Sequence, residues 1–340
     1  MKGLVKFEKG PSGVRLIEIE SKPLREKELL VKIHAAGICG TDLHIMEDEY
    51  PYNAPVVLGH EYSGIVVEVG SEVMDFSVGD RVVSLTAAST CGNCVYCDQG
   101  LLMLCKEKQS IGSQVDGAFT EYITIPEKIA FKITSGVSLD EAALTEPLAC
   151  AVRCIMERGN VQGGDLVLVS GPGTIGMLAL LVAKANGGRV VVAGTHADRE
   201  RLEFAKKLGA VDTVVIDSEE SMQQVMAKYP FDVAIECAGH EVSLDNCIRL
   251  LKMQGNLIQM GLFGKKIKFN SDLVLMKELH YSNGFATEPT SWRIALNLLE
   301  NKLVDVRPLI SNKVELSDWE RGIQLVKDKV GYKTLLIPNV

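Results

Sequence analysis

Residues 166–176 read "LVLVSGPGTIG", an apolar run followed by Gly171, Gly173 and Gly176 in the spacing G-x-G-x-x-G. In a strand–turn–helix unit each glycine has its own task. The first permits the tight turn, the second lets a pyrophosphate approach the backbone, and the third lets helix and strand pack closely. The helix start, at Thr174 and Ile175, then turns its N–H groups and partial positive charge toward the phosphates. Plain structural turns can carry the same spacing, so the surroundings decide. Downstream, "TIGMLALLVAKANG", "RVVVAG", "DRERLEFAKKLGA", "FDVAIECAG" and "GNLIQMGLF" alternate helical and strand patterns. That alternation marks a parallel sheet wrapped by helices, the context a dinucleotide-binding turn requires.

Working outward, the uncharged stretch 166–183 could be taken for a membrane span, but glycines and a proline break it. A buried strand, a turn and a buried helix start explain it better. Before about residue 150 the style differs: "ELLVKIHAAG", "YSGIVVEVG", "DRVVSL" and "FTEYITI" are short β-type runs punctuated by glycine. With 340 residues in all, two domains are expected, one mostly β and one α/β. After Phe285 two helices are signalled, "SWRIALNLLENKL" and "SDWERGIQLVKDK", the second opened by a capping box of Ser317 and Glu320. The closing "YKTLLIP" reads as a strand that either extends the parallel sheet or returns to the first domain.

A net charge of −8 without a basic stripe disfavours a nucleic-acid partner. The amino terminus "MKGLVKFEKG" lacks the unbroken apolar core of a secretory signal, so a cytoplasmic protein with no membrane partner is expected.

Four of the nine cysteines crowd into "CGNCVYCDQGLLMLC", residues 91–105. Disulfides are the weakest reading for an odd count in a reducing compartment. A redox C-x-x-C would not need four thiols. Cys91, Cys94, Cys97 and Cys105 instead suit a closed, structural zinc site of four thiolates. A second set, Cys39, Thr41, His44, His60 and Glu61, lies in "GICGTDLH" and "VLGHEYSG". Cys39, His60 and Glu61 offer the three ligands of a catalytic zinc with an open position, and Glu146 in "TEPLA" is a further carboxylate. Taken singly, each has a plainer reading as a core thiol, a turn residue or a solvated charge. His34, His196, His240 and His280 have no such company, and His34 and His280 are expected in the core or at an interface.

"GICGTDLH", "GHEYSG", "VGDRV", the cysteine lobe, "TEPLA" and "GPGTIG", in that order, resemble the zinc-containing medium-chain alcohol and polyol dehydrogenases, most of all the sorbitol dehydrogenase branch. The resemblance implies a GroES-like distorted β-barrel catalytic domain, residues 1–149 and 286–340, with a doubly wound Rossmann domain, residues 150–285, inserted into it. It implies that the last strand returns to the first domain. It implies a catalytic zinc on Cys39, His60 and Glu61, with Glu146 as a ligand or as the holder of the metal's water, and a structural zinc on the four clustered cysteines. Thr41 matches the hydroxyl that passes the substrate proton and His44 the next relay toward solvent. The implied assembly is a homodimer or homotetramer. The implied reaction is hydride transfer between a secondary alcohol of a polyol or sugar-like substrate and NAD(P). An L-threonine 3-dehydrogenase-like or sugar-alcohol-phosphate activity is the alternative; a non-catalytic NADP-binding protein or a thiol sensor is a rival of a different class.

For the cofactor the chain departs from the NAD pattern, which ends the second strand in an acidic residue that binds the ribose hydroxyls. Here "VVVAGTHADRER" puts Gly194, Thr195 and His196 at that place and Arg199 just after it. These residues suit a 2′-phosphate and tilt the expectation toward NADP, unless Asp198 reaches back to the ribose.

Overall fold

The computed structural model describes residues 1–21 and 23–338. Its backbone divides into two units. One comprises Met1–Ala149, Thr287–Lys302 and the chain from Val306 on; the other comprises Cys150–Ala286 and Leu303–Asp305.

In the second unit the stretch that opens the sequence reading forms strand Leu166–Ser170, a turn at Gly171, and helix Thr174–Ala185. Val167, Leu168 and Val169 are buried, as are the helix residues Met177 to Ala183. Enclosure by protein on nearly every side is why this run carries no charge; each large aliphatic buried there contributes about 1.5–3 kcal/mol. Six parallel strands follow the order Asp212–Val215, Arg189–Gly194, Leu166–Ser170, Phe231–Glu236, Leu251–Gln259, His280–Asn283. The chain runs outward from Leu166–Ser170 in one direction and then, with Phe231–Glu236, in the other. The carboxyl ends of these two neighbours therefore form the switch point where such sheets bind ligands. Leu168, Val191, Ala234, Leu244, Ile248 and Leu257 pack into one core cluster on this sheet.

The first unit is built on a seven-stranded sheet. Strand Glu28–Gly37 lies at its centre, antiparallel to Glu61–Val69 on one side and to Lys333–Ile337 on the other. The last strand thus returns to the first unit, where it also pairs in parallel with Ile310–Glu315. Helix Pro289–Glu300 belongs here as well: Trp292 is buried, donates its indole N–H to Thr287 Oγ1 at 2.9 Å, and stacks on Phe131.

Two details differ from the sequence reading. The last helix begins at Trp319 with Asp318 at its N-cap, so Ser317 falls in the preceding turn, where its hydroxyl donates to Glu315. The Ser317–Glu320 capping box therefore does not form; the 3₁₀ turn Leu316–Asp318 moves the helix start beyond it. Neither His34 nor His280 is in a core: His34 is exposed against Asp140, and His280 is exposed on the edge strand of the parallel sheet. Among the described residues no helix is long and apolar enough to cross a membrane.

Candidate active site

Cys39 ends the extended segment after strand Glu28–Gly37 and caps helix Gly40–Met46, while His60 immediately precedes strand Glu61–Val69 and Glu61 opens it. The antiparallel register sets Glu61 opposite Gly37, which brings the two motifs together although they are 22 residues apart. One ligand atom from each of Cys39, His60 and Glu61 falls within 4.8 Å of the others. This sulfur, nitrogen and oxygen set fits zinc, with a fourth position left to water or substrate.

Asp42 supports the fit. It is wholly buried one turn along the helix; Oδ2 accepts the Cys39 N–H at 2.8 Å, and Oδ1 sits 3.3 Å from His60 Nδ1 with no aligned donor of its own. A histidine ligand that turns its other nitrogen to a buried carboxylate is the usual second-layer arrangement at zinc. Burial would push the His60 pKa down, but Asp42 and then Cys39 outweigh it and hold it well above the ordinary value.

Across the same sheet, Lys333 Nζ donates to both Glu61 oxygens, at 2.7 and 3.0 Å, and to the Ile38 carbonyl at 3.1 Å. Burial opposes its charge, yet Glu61, Cys39 and Glu146 together raise its pKa above the usual lysine value. Glu146 itself is buried near the start of helix Thr145–Val152, outside the three-residue ligand set. Thr41 Oγ1 lies 3.7 Å from Cys39 Sγ. His44, one turn further along, is exposed and turns Nδ1 to Glu49 at 2.6 Å, and no hydrogen bond joins it to Thr41, whose Oγ1 faces Cys39.

The four cysteines of the lobe come together as free thiols. Cys91–Cys97, Cys94–Cys97 and Cys91–Cys105 have Sγ–Sγ distances of 3.9, 3.6 and 3.6 Å. Four sulfurs at zinc bond length in a tetrahedron are about 3.8 Å apart, so these positions fit a closed zinc site and exclude disulfides. The lobe is tied to the first unit by Glu288, a buried carboxylate that accepts the Leu102 N–H at 2.8 Å.

In the second unit, Gly171 has φ near +103°, and a side chain on it would strike Ala238. A Cβ on Gly176 would lie 1.9 Å from the Gly171 carbonyl oxygen. Gly173, at the N-cap of the helix, is different: a Cβ there would meet nothing closer than Arg201 Nη1 at 4.0 Å. Protein packing explains the outer glycines and leaves the middle one to an incoming ligand. At the end of strand Arg189–Gly194, Asp198 Oδ2 accepts both the Thr195 N–H, at 2.9 Å, and the Thr195 hydroxyl, at 2.7 Å. His196 leans on Asp217, and Arg199 is exposed.

Asp42, Lys333 and Glu236 were missed by the sequence reading. Glu236 ends the apolar strand Phe231–Glu236 fully buried, and accepts the Ala238 and Gly239 N–H groups beside Gly171; burial pushes its pKa up. An acid closing an apolar strand was the available signal for Glu236. Asp42, between Thr41 and His44, could have been found by its position; nothing local marks Lys333.

Residues 25–135 match the family model described as alcohol dehydrogenase GroES-like domain, and residues 174–301 the model described as zinc-binding dehydrogenase. The chain is 37% identical to a sorbitol dehydrogenase of Halalkalibacterium halodurans, over 99% of each chain. It is 33% identical to a D-arabitol-phosphate dehydrogenase of Enterococcus avium, over 100% of this chain and 98% of the other. A Sinorhizobium meliloti 1021 protein solved bound to NADP superposes with a TM-score of 0.88, at 30% identity and 99% coverage of both. With both domain models matched and full-length relatives above 30% identity, the chain belongs to the family of zinc-dependent, NAD(P)-dependent medium-chain alcohol dehydrogenases.

Proposed function

We propose that this dehydrogenase oxidises a secondary hydroxyl of a polyol or sugar-like substrate, and reduces the matching ketone, with NADP(H) as the favoured cofactor. The observation that carries the substrate class is the Cys39, His60 and Glu61 donor set, in which a carboxylate replaces a second thiolate and a charged neighbourhood of Asp42, Lys333 and Glu146 surrounds it. Such a harder, more polar site suits a hydroxyl-rich molecule better than a long apolar alcohol. The names of the sorbitol and arabitol-phosphate relatives support the same class.

Cys39, His60 and Glu61 would hold the catalytic zinc, with Glu146 as a further ligand or as the holder of the metal's water. When bound, zinc supplies Lewis acidity that eases loss of the substrate's hydroxyl proton, and the nicotinamide takes up the hydride. Thr41 would take that proton, and exposed His44, steadied by Glu49 and not bonded directly to Thr41, would release it to solvent once a bridging hydroxyl or water joins the two. Asp42 fixes the His60 ring. Cys91, Cys94, Cys97 and Cys105 would hold the structural zinc. Gly171, Gly173, Thr174, Ile175 and Gly176 receive the pyrophosphate, while Gly194, Thr195, His196 and Arg199 surround the 2′-phosphate.

A homo-oligomer is part of the proposal. Among the described residues, edge strand His280–Asn283 has a neighbour on one side only, and the same unit exposes Leu262, Leu275 and Met276. Light scattering on the purified protein would report a dimer or tetramer. The substrate reading is tested by a panel of polyols, sugar-alcohol phosphates, L-threonine and primary aliphatic alcohols with both cofactors. Highest kcat/KM on a polyol or its phosphate is the expected result; highest kcat/KM on a primary aliphatic alcohol would end the polyol reading, and on L-threonine would replace it.

A further inference from the structure

Lys6, at the end of strand Lys2–Lys6, keeps its side chain fully buried, an arrangement that is costly unless partners compensate the charge. Nζ donates to the Met46 carbonyl at 2.8 Å and to the Gly10 carbonyl at 2.9 Å, and lies 3.0 Å from Asp48 Oδ1. Met46 is the last residue of helix Gly40–Met46, which carries Thr41 and His44. The loop that leaves this helix ends at Val56, which pairs with Lys6 itself in the antiparallel ladder. Both ends of the loop are therefore pinned on one residue. Inside it, Asp48 has φ near +63°, a left-handed turn for which glycine is the ordinary choice after a helix. Its carboxylate closes the loop, with Oδ1 accepting the Tyr52 hydroxyl at 2.6 Å and Oδ2 the Gly10 N–H at 2.5 Å. The Tyr52 hydroxyl first, then the Gly10 N–H and Lys6, hold its pKa down to about 2, so it stays charged opposite the lysine at any working pH.

The turn at Asp48 brings the chain back onto the helix it has just left. The Glu49 N–H donates to the His44 carbonyl at 2.7 Å, and Glu49 Oε2 meets His44 Nδ1 at 2.6 Å. We propose that Lys6 and Asp48 are positioning residues for proton release, fixing the turn that holds Glu49 against His44. The inference rests on the reading of His44 as the group that releases the substrate's proton. His44 and Glu49 are both exposed, and an exposed pair by itself holds two side chains in one geometry only weakly. The buried lysine supplies what the surface pair lacks, a fixed backbone path that sets Glu49 beside the imidazole. Among the described residues no hydrogen bond joins Lys6 or Asp48 to the imidazole, so both act through the turn.

The experiment uses the full-length, zinc-loaded enzyme and the alcohol with the highest kcat/KM in the substrate panel. Asp48→Gly keeps the left-handed turn and removes the carboxylate, and Lys6→Met removes the cation. In each, kcat is expected to fall by about tenfold with KM within about twofold of wild type, and raising N-ethylmorpholine buffer at constant ionic strength should restore most of the loss, since a small amine can collect the proton itself. Hydrogen exchange across residues 47–52, measured without substrate, should quicken in both variants. A strut with no part in proton release would not respond to buffer. Wild-type kcat in Asp48→Gly, or a loss that buffer leaves untouched in both variants, would overturn the proposal. If Lys6→Met does not fold, Asp48→Gly decides alone. Wild-type kcat in His44→Ala would remove the relay reading instead, whereas exchange at the wild-type rate in Asp48→Gly would remove the positioning role whatever the relay does, so the two failures are distinct.

Discussion

Asp42 and His60 face each other inside the first unit, with Oδ1 3.3 Å from Nδ1 and the carboxylate fully buried. The helix that carries Asp42 is capped by Cys39, so one short segment both presents a thiol and orients the imidazole next to it. Asp42→Asn keeps the shape and removes the charge that holds the ring. We expect a 10- to 100-fold loss of zinc affinity at this site, about the cost of losing such a partner, with zinc at the cysteine lobe unaffected. Chelator competition measures both. Equal weakening at the two sites would mean a general loss of fold instead.

The cysteine lobe predicts a different failure. Elemental analysis of purified protein should approach two zinc equivalents, one for each ligand cluster. Cys94→Ser should reduce the count to about one and lower thermal stability, because the thiols hold a loop of few regular elements together. Cys39→Ser should also lose one equivalent but abolish turnover while leaving the lobe intact. Full activity with a single equivalent would contradict the division of roles.

What could be read in advance follows how locally each feature is encoded. The parallel sheet was legible because buried strands and the helix after Gly173 impose their composition directly on stretches such as 166–183. Both ligand clusters were legible because cysteine and histidine are scarce and their spacing is constrained. Lys333 was not, since its partner is 272 residues away and only the sheet register brings the two together. The Ser317–Glu320 box failed for the opposite reason: a valid local signal lost to a 3₁₀ turn that shifts the helix start to Trp319.

Asp212 gives a stability test remote from the metal. The Tyr229 hydroxyl first, then Lys228 at 3.0 Å, lower its pKa from 3.8 to about 2 despite partial burial. A carboxylate depressed in the folded state stabilises the protein above its unfolded pKa and loses that contribution as pH falls through the folded one. Asp212→Asn should therefore be less stable than wild type at neutral pH, and the gap should close as pH falls from about 4 to about 2. A gap of constant size in melts across that range would show that charge is not involved.

For the cofactor, Asp198 is already committed to the Thr195 backbone and hydroxyl, at 2.9 and 2.7 Å, while Arg199 stays exposed next to it. Catalytic efficiency should be higher with NADP than with NAD, and Arg199→Ala should cut the NADP value by about tenfold or more while sparing NAD, the scale of one lost charge-assisted hydrogen bond. A strong NAD preference that survives Arg199→Ala and disappears in Asp198→Ala would show that the carboxylate reads the ribose.

The glycine turn offers the sharpest separation of folding from binding. Gly176→Ala would force a methyl group to 1.9 Å from the Gly171 carbonyl oxygen, inside the packed joint of strand and helix. Backbone must move, and the cost should be about 1–3 kcal/mol or more, read as a lower melting temperature with or without cofactor. Gly173→Ala meets no protein atom closer than Arg201 Nη1 at 4.0 Å and lies in extended backbone that alanine adopts freely. Its melting temperature without cofactor should stay near that of wild type, apart from a small N-cap effect. Its affinity for NADP should nevertheless fall sharply, since the added methyl group occupies the space a pyrophosphate needs to reach the N–H groups of Thr174 and Ile175. Thermal melts paired with cofactor titration by nicotinamide fluorescence measure both quantities. If Gly173→Ala bound NADP as wild type does, the pyrophosphate would not be seated on this turn.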